Sequence, residues 1–217
     1  MTSATLVALA RPRTPVHVTP TLHEARGPRR GLAEQGGRDR AQAESFIRDI
    51  FATAHGARLG ALMPAILAER DTDGGIHAAC GLRAAADGAL FLEHYLPDPI
   101  ESMIPSRARV GVVRRNDIVE VGNLAVRPPF SARQLIASLT EYLLAGDAEW
   151  SAFTAVPTLR NAFARLGVPF LRLGVARLDA LPASDRPAWG RYYDTAPEVL
   201  AVRVRDAAHA LLAGPRA

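Results

Sequence analysis

Residues 117–126 read DIVEVGNLAV, and this stretch decides the fold that the sequence predicts. It is rich in β-branched and other apolar residues, as strands are. A strand that is apolar on both faces is typical of the middle of a covered sheet. We therefore expect residues 117–126 to form a central strand that is buried on both sides.

Glu120 is the exception within this strand, because nearly all of its neighbours are apolar. An unpaired carboxylate in such surroundings costs several kcal/mol. Two interpretations are open: Glu120 pairs with an arginine, for which Arg83, Arg114 and Arg115 are candidates, or it serves catalysis or substrate binding. Burial raises the pKa of a carboxyl toward the range of a general base, which favours the second interpretation.

Gly122 and Asn123 follow, and strands disfavour both residue types. A glycine in a central strand is typical of a β-bulge or of a close approach by another backbone. The N–H group that a bulge leaves unpaired can hold the oxyanion of a reacting carbonyl. The alternative is a kink with a purely structural role.

The segments on either side predict alternating helices and strands. Helical spacing begins at Gln42 and stops at Gly56, and a second helix begins at Ser131 and stops at Gly146. The remaining predicted helices cover 99–104, 158–166 and 206–213, and the remaining strands 76–82, 89–95, 149–155, 168–175 and 198–204. The strands over 76–82 and 89–95 read as a hairpin. These elements favour an α+β fold with a mixed sheet and helices on its faces.

The helix that begins near Ser131 offers an anion-binding end, because the first N–H groups of a helix have no partner within it. Arg127 and Arg133 flank that end, and a phosphate or pyrophosphate fits there. Arg160, near the start of the helix over 158–166, is a further cofactor-binding candidate. Its neighbour Asn161 either hydrogen-bonds a ligand or caps and packs the helix.

Residues 189–194 read WGRYYD and bring three aromatic rings and an acid together. Tyr192 and Tyr193 are candidates for protonating a leaving group, and Trp189 for contacting a substrate. The alternative is a loop that is packed by its own rings. His94, at the end of the predicted strand 89–95, is another candidate for facing a pocket.

The composition of the 217 residues excludes several classes of protein. With 48% hydrophobic and 22% charged residues, the chain is neither disordered nor collagen-like. Cys80 is the single cysteine, which excludes a disulfide scaffold and a thiolate metal cluster, and we expect no metal. All 26 basic residues are arginine, which excludes a lysine Schiff base. No apolar run reaches the roughly 18 residues of a membrane span, so we expect a cytoplasmic protein.

The first forty residues differ from the rest of the chain. They contain seven arginines against three acidic residues, whereas the rest has arginines and acids in equal number. We expect residues 1–40 to be a flexible extension rich in Arg, Pro and Gly, and residues 41–217 to be a single domain. The extension is either dispensable or binds an acidic partner or a membrane surface. The neutral body argues against nucleic acid as a partner.

Several strings resemble those of a known family. They are IVEVGNLAV, WSAFTA at 150–155, LRNAFARLG at 159–167 and WGRYYD, with LFLEHYLPDPIE at 90–101. Together they are similar to the thermostable hemolysin family, from about Arg38 to the C-terminus. That family resembles the acyl-CoA N-acyltransferase (GNAT) superfamily, and within it the branch of acyl-homoserine lactone synthases.

The resemblance implies a GNAT-like mixed, mostly antiparallel sheet with a splay between its central strands and helices on both faces. It implies acyl transfer from acyl-CoA or an acyl carrier protein to a small-molecule amine. Glu120 matches the glutamate of the branch's string EVSRFAV and would accept the amine proton, while an N–H near Gly122 would hold the oxyanion. Tyr192 or Tyr193 would protonate the thiolate. The resemblance also implies that Asn123 and Asn161 orient the substrate.

Two positions depart from the pattern. Asn123 replaces the arginine of EVSRFAV, which argues against homoserine-lactone chemistry. The turn RPPFSAR at 127–133 lacks the glycines that cradle a pyrophosphate, and its two prolines remove N–H donors. This favours a carrier-protein donor or a degraded site over the usual binding of coenzyme A.

Two other function classes remain open. The family name points to a membrane-lytic protein, although the sequence has no spanning helix. A binding module that keeps the fold without catalysis is the third possibility, which the missing glycines favour. A requirement for a thioester and the release of a thiol distinguish the enzyme from both.

Overall fold

The computed structural model describes residues 29–33, 38–128 and 132–213. Its strands are β1 (Arg29–Ala33), β2 (Ala65–Arg70), β3 (Ile76–Ala84), β4 (Ile118–Val126), β5 (Trp150–Ala155), β6 (Leu171–Val175) and β7 (Glu198–Arg203). Its helices are α1 (Arg38–His55), α2 (Ile100–Ala108), α3 (Ala132–Ala145), α4 (Pro157–Arg165) and α5 (Val204–Ala213). Every predicted helix and strand is present near its expected place, except the strand over 89–95.

The strands of the described residues form one sheet in the order β1-β2-β3-β4-β5-β7-β6. Neighbouring strands are antiparallel except β4 and β5, which are parallel. The prediction of a mixed, mostly antiparallel sheet is therefore confirmed.

Strand β4 lies at the centre of the sheet, as its apolar run predicts. On one side it pairs with β3, with a register shift between Ala79 and Gly81. Asn123 lies at this shift with a φ of 50°, so the strand contains the predicted β-bulge. On the other side β5 pairs with β4 only from Ile118 to Val121. Beyond Val121 the two parallel strands separate, which is the expected splay.

Helices cover both faces of the sheet, because alternate residues of each strand point to opposite faces. Val119 and Val121 of β4 belong to the apolar cluster that includes residues of α3, α4 and α5. Ile118, two residues before Glu120, packs on the face opposite to that of Val119 and Val121, in the cluster of α2. Ala125 packs in the cluster of α1 on the same face as Ile118, because the bulge between it and Glu120 shifts the alternation of the strand. Helices α1 and α2 therefore share the face toward which Glu120 points.

The prediction of a strand over 89–95 is wrong. Residues Phe91–Tyr95 form a short 3₁₀-helix, because two side chains take the N–H groups that a strand would offer to its neighbour. Glu93 accepts from the N–H of Leu90, and Glu120 accepts from the N–H groups of Phe91 and Leu92. The hairpin partner of β3 is instead β2.

The boundary predicted at residue 40 also needs correction. Residues Arg29–Ala33 form the edge strand β1, which pairs with β2 along its whole length, and α1 begins at Arg38. These residues satisfy their backbone groups within the sheet and the helix, so the folded domain begins before residue 41. The prediction for residues 1–28 and 34–37 lies outside the described residues.

Within the described residues, no helix is long and apolar enough to cross a lipid bilayer.

Glu93 ties the 3₁₀-helix to the rest of the domain. Its carboxylate accepts from the N–H of Leu90 at 2.9 Å and of Ile100 at 3.1 Å. Arg115 donates to both of its oxygens, at 2.7 and 2.9 Å, and also reaches Glu101 at 2.7 Å. The hydrogen bonds from Arg115 lower the pKa of Glu93 to about 2.

We expect Glu93→Gln to lower the free energy of unfolding at pH 7 by about 2 kcal/mol, because the hydrogen bonds to a charged acceptor are weakened. The folded pKa of Glu93 lies below its ordinary 4.5, so this stabilisation is complete above that pH and is lost toward pH 2. In urea unfolding, the difference between wild type and variant should shrink across that window. Glu101→Gln is the control, because Glu101 contacts Arg115 without holding these amides. An equal loss in the control would contradict the assignment.

Candidate active site

A cavity of about 680 Å³ opens where β4 and β5 separate. Its wall contains residues 120–124 of β4 and Thr154 of β5. On the α1 face it is closed by the loop 59–63 and a group of aromatic rings, and on the other face by Leu135 of α3 and Leu159 of α4. The cavity therefore passes through the gap in the sheet, and its volume is typical of small-molecule sites.

Glu120 lies in the wall of this cavity, next to the last paired position of β4. It is 2% exposed, and its two oxygens accept from the N–H groups of Leu92 and Phe91, each at 2.9 Å. No arginine of the described residues forms an ion pair with it. Arg115 binds Glu93, and Arg83 donates to the carbonyl of Ala89. Backbone amides rather than a guanidinium therefore hold the carboxylate.

The surroundings of Glu120 suit a proton acceptor. Burial raises its pKa above the ordinary 4.5, while the amides of Leu92 and Phe91 and the charge of Arg83 act in the opposite direction. The two amides fix the carboxylate in one orientation, and its remaining lone pairs are available. A carboxyl of raised pKa in a cavity wall is the arrangement expected of a general base.

The bulge lies beside Glu120, and both Gly122 and Asn123 line the cavity. The N–H and C=O groups of a strand inside a sheet point alternately toward its two neighbours. Beyond Val121, the groups of β4 that point toward β5 therefore have no partner strand. Close packing explains the glycines. A Cβ on Gly122 would collide with Met63 Cε, and one on Gly81 would lie 2.7 Å from Met63 Cβ.

The rings of Trp189, Tyr192 and Tyr193 all line the cavity. Trp189 contacts both tyrosines, with ring centroids 5.3 and 5.6 Å apart. The ring of Phe91, from the 3₁₀-helix, lies 5.4 Å from that of Trp189. The hydroxyl groups of Tyr193 and Tyr95 share a short hydrogen bond. The loop is thus packed by its own rings and also forms one wall of the site.

Five of the predicted site residues that the structure describes lie outside the cavity wall, and three of them are His94, Asn161 and Arg160. His94 is exposed and packs against Phe91, with ring centroids 5.5 Å apart. Asn161 is exposed on α4, because the helix turns its apolar side toward the core. Arg160 forms an ion pair with Glu198 at 3.1 Å.

The predicted anion-binding residues are only partly brought together. Ala132, at the start of α3, lines the cavity, whereas its neighbour Arg133 is exposed and lies outside the cavity wall, as does Arg127. The guanidinium of Arg127 lies over the ring of Phe46 at 5.0 Å, on the α1 face. Ser131 lies outside the described residues.

Sequence reasoning did not identify Met63 and Tyr95 as part of the cavity wall, and it named Arg83 only as a possible partner of Glu120. The place of Arg83 in the wall follows from the register of β3 and β4, in which it lies directly opposite Glu120. Met63 lies within an apolar run without periodicity, so nothing in the sequence distinguishes it from a core residue. Tyr95 is oriented by a helical turn that the predicted strand concealed.

A central strand that parts from its parallel neighbour beside a bulge, with helices on both faces, defines a GNAT-like fold. The chain belongs to the thermostable hemolysin family, whose model matches residues 33–208. None of the curated protein sequences matches it.

Several solved structures of similar fold are 11–17% identical to this chain in sequence. TofI, solved with an inhibitor and MTA, has a TM-score of 0.57 at 17% identity, covering 84% of this chain and 95% of its own. The AHL synthase LasI has a TM-score of 0.56 at 11% identity, covering 88% and 98%. FeeM, an N-acyl amino acid synthase from uncultured soil microbes, has a TM-score of 0.52 at 14% identity, covering 81% and 96%. These likenesses establish the fold.

No group of three or more His, Cys, Asp and Glu side chains within the described ranges is arranged to hold a metal ion.

The tyrosines provide a test of this geometry. Burial raises the pKa of Tyr193 and of Tyr142 to about 12, and it also raises the pKa of Tyr95 and Tyr192. The chain has four tyrosines, so all of them should remain protonated at about pH 11 in the native protein.

We expect little tyrosinate absorbance from the native protein at that pH, and full titration near pH 10 in guanidinium chloride. Because the unfolded chain loses these protons first, the free energy of unfolding should fall as the pH rises above 10. Spectrophotometric titration of both states checks this. Native tyrosines that titrate near pH 10 would show that the ring wall is open to solvent.

Proposed function

We propose that this protein is an N-acyltransferase that moves an acyl group from a thioester to an amine. The observation that carries the proposal is the position of Glu120, a buried carboxyl of raised pKa that lies where the central strands part. A thioester arm can enter the gap between β4 and β5, and the cavity leads it to the carboxyl. The fold shared with LasI and FeeM, named as synthases of acylated products, supports this interpretation.

In the proposed reaction, the amine nitrogen attacks the thioester carbonyl and a carbon–nitrogen bond forms. Glu120 takes one proton from the amine, and the backbone N–H groups of β4 near Gly122 and Asn123 stabilise the oxyanion. The carbon–sulfur bond then breaks, and the thiolate takes a proton. Tyr193 is the candidate donor, because it lines the cavity and its phenol is protonated at neutral pH; the phenolate then regains a proton from solvent. Tyr192 is the second candidate donor.

The donor side of the site is assigned to the start of α3. Its first N–H groups and Arg133 suit a phosphate of acyl-CoA or of an acyl carrier protein. Because these thioesters are made in the cytoplasm, we assign the protein to that compartment. Arg127 and Ser131 flank this end in sequence. Trp189 and Asn123 are assigned to contacts with the acyl chain and the amine. We place Asn161, His94 and Arg160 outside the reacting centre, because they lie off the cavity wall.

The test is thiol release from acyl-CoA and acyl carrier proteins of several chain lengths, with a panel of amines and product identification by mass spectrometry. We expect Glu120→Gln to lower kcat by about 10²- to 10⁴-fold, because the amine loses its proton acceptor. Binding of the acyl thioester, followed by native mass spectrometry, should remain. Glu69→Gln is the matched control, because Glu69 is also buried in a strand but does not line the cavity.

Full turnover by the Glu120→Gln variant would remove the base assignment. Thioester binding without thiol release, for every amine, would identify a binding module instead. Dye release from pure lipid vesicles without any thioester would identify a membrane-lytic protein.

A further inference from the structure

Arg83 shares the base of the cavity with Glu120. The two residues are direct partners across β3 and β4, so their side chains point to the same face. Both side chains hydrogen-bond to the backbone of one short segment, residues 89–92. The Arg83 guanidinium donates to the carbonyl of Ala89 at 3.0 Å, while Glu120 accepts from the amides of Phe91 and Leu92. The segment therefore holds a cation and an anion side by side in the cavity wall.

The guanidinium of Arg83 has binding capacity left. It carries five N–H donors, and one of its nitrogens is engaged by Ala89. Among the residues that the structure describes, no carboxylate forms an ion pair with Arg83. It is also the single guanidinium in the described part of the cavity wall. A half-buried guanidinium of this kind is suited to bind a carboxylate in the bidentate manner.

We propose that the acceptor amine is an amino acid, whose carboxylate binds Arg83 while its amino group faces Glu120. The inference rests on the proposed function and names the acceptor class of the same site. One ligand then places its negative group on the guanidinium and its nitrogen beside the base. The product is an N-acyl amino acid, and the free thiol is released as before.

The charges and rings of the wall favour this class over two others. A phosphate ester would bring two negative charges close to the carboxyl of Glu120, which would repel them. A carboxylate brings a single negative charge, which the guanidinium of Arg83 balances. A plain alkylamine would leave Arg83 without an anion. Phe91 belongs to the segment that holds both charged groups, and its ring lies 5.4 Å from that of Trp189, so an apolar amino acid side chain fits beside these rings.

The experiment compares leucine with leucinamide and isopentylamine as acceptors, because the three share the amine and the apolar side chain. We expect kcat/KM for leucine to exceed the others by about 10- to 150-fold, the value of one hydrogen-bonded charge pair. Arg83→Gln should abolish this preference, because it should raise KM for leucine far more than KM for isopentylamine. Arg83→Lys should retain part of it. Arg177→Gln, on the surface beside Asp179, is the control for lost charge.

Binding of leucine alone, measured by calorimetry on the wild type and on Arg83→Gln, separates the two proposals. Leucine binding that depends on Arg83, without acylation of any amine, would support the acceptor site and overturn the transferase. Equal acylation of leucine and isopentylamine, unaffected by Arg83→Gln, would overturn the acceptor site and leave the transferase. Absence of both acylation and leucine binding would overturn both. Circular dichroism confirms that each variant is folded.

Discussion

The end of pairing between β4 and β5 at Val121 is the constraint on which the rest of the structure depends. Inside a sheet, each strand normally satisfies the backbone groups of both neighbours, and leaving them unpaired costs free energy. The parting is confined to one side of one strand, since β3 continues to pair with β4 beyond the bulge as far as Val126. The sheet therefore keeps its integrity while it opens a passage at its centre. A local defect of this kind is expected at a functional site.

Glu120 links this opening to the segment that follows β3. Its carboxylate takes the amides of Phe91 and Leu92, so the segment turns into a 3₁₀-helix instead of continuing as a strand. The same contacts orient the carboxyl in the cavity, and burial keeps its pKa raised despite the two donors. Glu93 holds the segment from its other side through Arg115. The two glutamates thus differ in role: Glu93, whose pKa is lowered, anchors the segment, and Glu120, whose pKa is raised, also faces the cavity.

Most of the fold was predictable from its apolar patterns: α3 buries one face at helical spacing, and β4 is a nearly continuous apolar run. The position of Glu120 was predictable because one carboxyl in an apolar strand stands out. The strand predicted over 89–95 is absent because Glu93 within the segment and the distant Glu120 accept from its backbone N–H groups. Strand β2 was not predicted because the apolar run from Leu59 to Ala68 has neither helical nor alternating spacing. Arg160 matches a family string, yet its ion pair with Glu198 could only be known from the packing of α4 against β7.

The facing glycines Gly81 and Gly122 show how the passage is lined. Two glycines opposite each other weaken a sheet, since neither offers a side chain to its partner. Here the space they leave is filled by Met63, which a Cβ on either residue would push away. The wall beside the bulge is therefore a flexible thioether side chain resting on bare backbone. Larger residues at these positions would displace Met63 and would cover the backbone groups that the parted strands expose. The weak point of the sheet and the open side of the cavity thus have the same physical origin.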